Sequence, residues 1–320
     1  MDVSSTQYQL FPEIEPHERG MLDLDGHHTM YWEVSGNPEG KPAVFLHGGP
    51  GAGSSPAHRR FFDPDIYRII VLDQRGSGRS TPYADASDNT TQHLIADLEK
   101  LRRHLAVDRW LVFGGSWGSA LGLAYGIEYP DRVSGFVLRG IFLCRESELA
   151  WFLGGIAQVF PERWREFIEF LPASERAAPL VSYYRRLMSP DASVHLPAAR
   201  VWARFEGACS TLLPNPRNVS GFDSGRAALA LARLEAHYFV HNLFLPDDHF
   251  FAHLERFRHI PATIVQGRYD MICPIVTADE LHRAWPEAEY VVVPAAGHSA
   301  WEPGISAELV RATEKMKTRR

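Results

Sequence analysis

The length, composition and charge of the chain limit what it can be. Its 320 residues include 45% hydrophobic and 22% charged side chains, and its formal net charge is −6. These fractions are ordinary for a folded globular protein and exclude disordered and fibrous classes. Because the net charge is negative and no lysine or arginine run offsets it, nothing attracts nucleic acid or an acidic membrane. We therefore expect small-molecule or peptide substrates, with no nucleic-acid and no membrane partner.

The cysteines and the N-terminal segment indicate a compartment. Cys144, Cys209 and Cys273 lie far apart without CxxC spacing, and an odd number cannot pair completely within one chain. Unpaired thiols favour a reducing compartment. The N-terminal segment lacks the basic stretch and long apolar run of a secretory signal, and no later stretch approaches about eighteen uninterrupted apolar residues. We expect a cytoplasmic protein.

The first elements in chain order predict antiparallel strands followed by parallel ones. Residues 19–34 alternate in character around Asp25-Gly26, a dipeptide typical of tight hairpin turns. After this hairpin, short apolar runs end in glycine-rich turns and precede helix-length stretches, which is typical of a parallel sheet with crossover helices. The predicted strands are 43–46, 67–72, 110–113 and 133–138, and a helix is predicted over 90–105.

The middle of the chain predicts an inserted helical lid. From 145 to 254 the strand pattern is replaced by helical periodicity rich in Trp, Arg and Glu and interrupted by prolines. Strand patterns return at 262–266 and 290–293, and a final helix follows. We therefore predict a core domain of residues 1–144 and 255–320 and a cap domain of residues 145–254.

A candidate nucleophile lies between a predicted strand and a predicted helix. The segment GGSWG (114–118) is a G-x-S-x-G motif that directly follows the apolar run WLVF. In this context the serine lies on a sharp turn at a helix N-terminus, where developing negative charge is favoured. The motif predicts Ser116 as the nucleophile. The alternative is a glycine-rich turn whose serine only caps the helix.

A second glycine-rich loop predicts an oxyanion hole. The segment HGGPG (47–51) follows the strand AVFL and is similar to loops that supply an oxyanion donor. The N–H groups of Gly49 and Trp117 are the predicted donors. A phosphate-binding loop is the alternative, but no Gly-Lys-Ser/Thr follows.

The acid and base of a triad follow the serine in the order that the α/β-hydrolase fold requires. Asp270 comes straight after the strand ATIVQ, and His298 comes shortly after the strand YVVVP. Asp270 would hold the Nδ1 hydrogen of His298, whose Nε2 would take the Ser116 proton. No HExxH spacing is present, so we expect neither a metal nor a cofactor. The predicted fold is an α/β-hydrolase fold with an inserted helical lid.

Six segments together make the chain resemble one family. HGGPG, DQRGSGRS, GGSWGS, LRGIF, GRYD and GHS are similar to the proline iminopeptidase (prolyl aminopeptidase) family over most of the chain. The resemblance implies a serine aminopeptidase that releases N-terminal proline from peptides with a free amino terminus. It also implies lid glutamates that hold the amine, which match Glu206 and Glu235. Phe205 departs from this pattern, since the family usually has Trp there.

Aromatic residues near the predicted site are candidates for an apolar slot that binds a pyrrolidine ring. Phe142, Trp151, Phe152 and Tyr238 are the candidates, although aromatic residues in a lid more often form its core. Glu206 and Glu235 have the alternative of being ordinary surface glutamates.

Two other functions are compatible with the same motifs. A broad esterase or amidase would use the triad without needing a free amine on its substrate. A ligand-binding relative would keep the triad without turnover. Hydrolysis of p-nitrophenyl acetate would favour the first, and tight binding without hydrolysis would favour the second.

Overall fold

A computed structural model describes residues 8–222 and 225–318 of the chain. Its strands form a single eight-stranded sheet in the order β1-β2-β4-β3-β5-β6-β7-β8. The strands are β1 Glu18–Asp23, β2 Thr29–Gly36, β3 Lys41–Leu46, β4 Tyr67–Leu72, β5 Trp110–Ser116, β6 Val133–Ile141, β7 Ala262–Gly267 and β8 Glu289–Val293. Pairing is antiparallel from β1 to β2 and from β2 to β4, and parallel between all later neighbours. The predicted hairpin and the mostly parallel sheet are confirmed.

The helices fall into two groups, one packed on the sheet and one inserted between β6 and β7. The sheet-packed helices are α1 Thr91–His104, α2 Trp117–Glu128, α10 Ile275–Ala284 and α11 Pro303–Met316. The inserted helices are α3 Glu146–Phe152, α4 Pro161–Glu169, α5 Pro179–Leu187, α6 Ala192–Cys209, α7 Pro216–Phe222, α8 Gly225–Val240 and α9 His249–Ala252. The helical lid thus lies in the predicted part of the chain.

Both faces of the inner strands β4, β5 and β7 are buried, which explains their uninterrupted apolar runs. Successive side chains of a strand point to opposite faces. Val44 and Val112 accordingly belong to a buried cluster that includes residues of α1, α2 and α10, whereas Phe45 and Phe113 belong to one that includes residues of α11. The carboxyl ends of these parallel strands meet at one edge, directly beneath the lid.

The lid has a core of stacked aromatic rings. Phe167 lies between Tyr183, at a ring-centroid distance of 4.4 Å, and Phe205, at 4.7 Å. Phe205 therefore fills an interior position of the lid. None of the helices in the described residues is long and apolar enough to cross a membrane.

Candidate active site

Ser116 lies on a sharp turn between β5 and α2. Its backbone has φ of 58° and ψ of −129°, which is strained for a residue with a Cβ. Glycines permit this turn, since a Cβ on Gly114 would lie 2.1 Å from Gly118 O, and one on Gly118 would lie 2.2 Å from Leu46 O. The Ser116 side chain makes no capping hydrogen bond to α2. A purely helix-capping serine therefore does not account for the turn.

His298 and Asp270 lie in the loops that follow β8 and β7. His298 Nδ1 is 2.8 Å from Asp270 Oδ2 and 3.0 Å from Asp270 Oδ1. The N–H groups of Ile272 and Cys273 donate to Asp270 Oδ1 and fix the carboxylate. An acceptor at Nδ1 makes that nitrogen the donor and leaves Nε2 as the proton acceptor. Burial lowers the pKa of His298, so the ring is neutral near pH 7.

Arg139, near the end of β6, hydrogen-bonds to His298 Nε2. The sequence predicts that Ser116 makes this contact. Its Nη1 donates to His298 Nε2 and to His298 O, both at 2.9 Å. The hydrogen-bonding partner of Ser116 Oγ among the described residues is Cys273 Sγ, at 3.9 Å. The expected contact between Ser116 and His298 is therefore not made in this state. The guanidinium must leave Nε2 before His298 can accept a proton from Ser116.

The loop after β3 packs against the nucleophile turn. A Cβ on Gly48 would lie 3.3 Å from Ser116 Cβ, and Gly49 has φ of 104°, a conformation that favours glycine. The buried His47 side chain holds the loop, because its Nε2 accepts the N–H of Gln74 at 3.0 Å. The predicted oxyanion donors, the N–H groups of Gly49 and Trp117, thus belong to backbone segments on either side of Ser116.

Two cavities meet at Ser116. The inner cavity is bounded by core and lid side chains that include Phe142, Glu206, Glu235 and Cys273. The outer cavity opens past the triad and is lined by His298, Arg139, Asn218, Phe222 and Trp301, among others. Both are lined by Ser116, Gly49 and Glu206. The inner cavity has a volume of about 20 Å³, room for about one water molecule, so side chains must move before a pyrrolidine ring can enter.

Glu206 on α6 and Glu235 on α8 point into the inner cavity. Their relative exposures are 6% and 3%, so neither is a surface glutamate. The two carboxyl groups hydrogen-bond to each other, and Trp202 Nε1 donates to Glu235 Oε2 at 2.6 Å. Burial raises the pKa of Glu206 to about 7. Burial and the neighbouring Glu206 charge raise the pKa of Glu235 well above its usual range, so the pair retains a proton near pH 7.

One carboxyl oxygen of this pair, on a residue that lines both cavities, is buried without a partner among the described residues. Glu206 Oε2 has no hydrogen bond among the described residues. An unpaired buried carboxyl oxygen is costly, and a ligand that donates a hydrogen bond there relieves the cost. The pair is therefore suited to a cation with N–H donors.

The structure brings two of the four predicted aromatic residues into the inner cavity and keeps two outside. Phe142 and Phe152 line the inner cavity, whereas Trp151 and Tyr238 line neither cavity. Trp151 Nε1 donates to Met271 O at 2.7 Å, and the Tyr238 hydroxyl donates to Asn89 Oδ1 at 2.8 Å. These hydrogen bonds hold both rings in the packing between lid and core, outside the two cavities.

Other apolar side chains complete the inner cavity. They are Leu149, Phe239 and Ile272. Phe239 follows Glu235 by one helical turn, and this spacing could have indicated that both side chains share a face of α8. Ile272 lies two residues after Asp270, but nothing in its local sequence indicates that it faces the cavity.

One group of side chains elsewhere has the composition of a metal site. Ligand atoms of His27, His28 and Asp85 lie within 4.8 Å of one another. However, Arg75 Nη1 is 3.1 Å from His28 Nδ1, and a guanidinium at that distance opposes a second cation. We therefore regard this group as a structural hydrogen-bond network at the β1–β2 turn.

Comparison with protein families and solved structures agrees with the observed fold. The family described as alpha/beta hydrolase fold matches residues 41–304. Among solved structures, a putative aryl esterase from Burkholderia cenocepacia superposes with a TM-score of 0.65 at 20% identity, covering 94% of this chain and all of that one. An esterase from Exiguobacterium antarcticum gives a TM-score of 0.62 at 15% identity, covering 93% of this chain and 99% of its own. At these identities the likeness shows the fold alone.

Sequence relatives are much closer. A proline iminopeptidase from Arabidopsis thaliana is 53% identical over 311 residues, which cover 96% of this chain and 82% of the relative. One from Xanthomonas citri is 50% identical over 307 residues, which cover 95% of this chain and 98% of the relative. Identity at this level over nearly the whole length includes the lid as well as the core. The chain belongs to the proline iminopeptidase family of α/β-hydrolase-fold proteins.

Proposed function

We propose that the protein is a serine aminopeptidase that releases N-terminal proline from peptides through an acyl-enzyme intermediate. The observation that carries this proposal is the buried Glu206–Glu235 pair in a small cavity next to Ser116. A small cavity lined by carboxyl groups suits a substrate that terminates in an amine one residue before the scissile bond. A general esterase has no need for two buried acids at that end.

The proposed acylation step uses Ser116 and His298. Ser116 Oγ attacks the proline carbonyl carbon while its proton passes to His298 Nε2. The N–H groups of Gly49 and Trp117 would stabilise the oxyanion, each by about 3 kcal/mol. His298 then gives the proton to the departing amine nitrogen as the carbon–nitrogen bond breaks. Asp270 holds the imidazolium that exists between these two transfers.

Deacylation repeats the same chemistry with water as the nucleophile. His298 removes a proton from water, the resulting hydroxide attacks the prolyl ester, and the proton returns to Ser116 Oγ. Free proline and a peptide shortened by one residue are the products. The departure of Arg139 from His298 Nε2 must precede each cycle, so binding of the substrate and the movement of Arg139 are coupled in this proposal.

In this proposal, the substrate ammonium replaces the proton that Glu206 and Glu235 retain when no substrate is bound. Without substrate, Glu206 and Glu235 reduce their repulsion by retaining a proton. A secondary ammonium supplies two N–H donors and a full charge, which the pair can hold in place of that proton. An N-acetylated proline has neither the charge nor the donors, so it cannot take the place of that proton.

Three substrates separate this function from its alternatives. We expect rapid hydrolysis of proline p-nitroanilide and at least about a hundredfold lower kcat/KM for N-acetyl-proline p-nitroanilide, because the acids lose their cation. Efficient cleavage of p-nitrophenyl acetate together with indifference to N-acetylation would establish a general esterase instead. Binding without turnover of any substrate would establish a ligand-binding protein.

The pKa values of the carboxyl pair and of His298 predict that kcat/KM and kcat decline at different pH values on the acid side. The pH at which each parameter declines is called its acid limit below. The free enzyme determines kcat/KM, and Glu206, with a pKa of about 7, must ionise before it can hold an ammonium. The substrate complex determines kcat. There the bound cation keeps the pair ionised, and the lowered pKa of His298 sets the limit. As pH falls, kcat/KM should therefore decline near pH 7, and kcat should decline at a lower pH.

These profiles are measured with proline p-nitroanilide from about pH 5 to 8. Glu206→Gln removes the ionisation at about pH 7 and should move the kcat/KM limit towards that of kcat. Coincident limits for both parameters in the wild type would contradict the assignment of the higher pKa to substrate recognition.

The proposed site of action is the cytoplasm. All three cysteines are buried and unpaired. Thiols that remain free in the folded protein support a reducing compartment. We also propose that residues 145–254 form the cap that closes the substrate cavity over the core.

A further inference from the structure

The two cavities would bind the parts of the substrate on either side of the scissile bond. Glu235 lines only the inner cavity, and His298 lines only the outer one. In the function proposed above, the carboxyl pair holds the amine of the proline and His298 protonates the departing nitrogen. The residue that follows the proline must therefore lie in the outer cavity, and its side chain must contact the lining there.

Trp301 forms a rigid aromatic surface in the lining of the outer cavity. Its side chain is 42% exposed, although it belongs to the loop that carries His298. The ring stacks on His58 at a centroid distance of 5.4 Å and on Phe61 at 5.2 Å. His58 in turn stacks on Phe45 at 4.2 Å, and its burial lowers its pKa to about 3. The platform beneath Trp301 is thus uncharged, and the indole loses little conformational freedom when a ligand packs on it.

The outer cavity continues into a shallow depression beyond Trp301. Asn218, Ser299 and Trp301 line both of them. The depression adds Leu212 and Leu213, and Leu213 is 73% exposed. Glu302 fixes this wall, because its carboxylate accepts the N–H groups of Leu212 and Gly297. Leu212 and Leu213 therefore form an apolar strip next to Trp301, beyond the cavity that would hold the residue after the proline.

We propose that Trp301 forms the binding site for the side chain of the second substrate residue and gives the enzyme a preference for apolar residues at that position. This proposal rests on the aminopeptidase function proposed above. Leucine or phenylalanine after the proline buries apolar surface on the indole, whereas glycine buries none. The downstream backbone then passes over the strip formed by Leu212 and Leu213.

The test compares kcat/KM for Pro-Phe-NH2, Pro-Gly-NH2 and proline methyl ester. These substrates share the prolyl group, and kcat/KM includes only steps up to acylation. Differences in kcat/KM therefore measure how the enzyme binds the leaving group. Wild type should prefer Pro-Phe-NH2 over Pro-Gly-NH2 by roughly tenfold. Trp301→Ala should lose roughly that factor on Pro-Phe-NH2 and stay within about twofold of wild type on the other two substrates.

Two variants serve as controls. Trp301→Phe keeps a ring on the same platform and should retain most of the preference. Val181→Ala removes an exposed apolar side chain on α5 that lines neither the outer cavity nor the depression, and it should change nothing. The proposal is overturned if Trp301→Ala leaves the Pro-Phe-NH2 to Pro-Gly-NH2 ratio unchanged, or if it lowers all three rates equally. A wild type inactive on proline methyl ester and both amides would overturn the aminopeptidase function itself.

Discussion

Replacing Ser116 with alanine is expected to lower kcat/KM for proline p-nitroanilide by about 10⁶-fold. The substitution removes the only protein atom that bonds to the substrate carbon in the proposed mechanism. The turn itself should survive, because Ser116 Oγ makes no hydrogen bond that caps α2. Rates are measured with the p-nitroanilide, and folding is checked by thermal unfolding.

Ser134→Ala is the matched control for this variant. Ser134 lies on β6 and lines neither cavity, so its loss should leave the rate unchanged. A fluorophosphonate probe should label wild type and Ser134→Ala but not Ser116→Ala. If Ser116→Ala kept activity within about tenfold of wild type, another nucleophile would be required, and Cys273 Sγ, 3.9 Å from Ser116 Oγ, would be the nearest candidate.

Replacing Glu235 with glutamine is expected to lower kcat/KM for proline p-nitroanilide by roughly 10² to 10³-fold. The amide cannot carry the charge that holds an ammonium, and loss of one partner of a buried charged contact costs about 2–5 kcal/mol. Glutamine resembles the protonated acid in shape, and its carbonyl oxygen can still accept the Trp202 Nε1 hydrogen. The unliganded fold should therefore be at least as stable as that of the wild type.

Two comparisons show whether the loss is specific to the amine. The low rate on N-acetyl-proline p-nitroanilide should be the same in Glu235→Gln and wild type, because that substrate has no cation to lose. Glu255→Gln, at a side chain that is 80% exposed, should behave as wild type. An equal loss on both p-nitroanilides would mean that Glu235 supports the shape of the site and does not recognise the amine.

Short-range sequence patterns were sufficient for the sheet and for the positions of the triad candidates. The apolar runs at 43–46, 67–72, 110–113 and 133–138 all lie within observed strands, and the predicted helix at 90–105 contains α1. Ser116 ends one strand in the parallel part of the sheet, and Asp270 and His298 lie in the loops after two others. Because parallel strands end at one edge, their sequence context alone was enough to bring them near one another.

Contacts between the lid and the core could not be derived from such patterns. Tyr238 and Trp151 carry polar atoms that bond to Asn89 and Met271 O, and these partners lie far away in the sequence. Phe142, equally aromatic, has no polar atom to satisfy and faces the cavity. The difference depends on which groups meet across the interface, and this is decided by packing.

The sequence by itself determined the chemistry available to this protein: a strained serine turn, an acid and a histidine after late strands, and two glutamates in a helical insertion. Periodicity and turn chemistry are local, so they act through neighbouring residues. The tertiary structure decided that Glu206 and Glu235 share a buried cavity, that Arg139 contacts His298 Nε2 and that Trp301 lies at the exit. These features depend on burial and on distances between segments far apart in the chain, and only the packed lid and core set them.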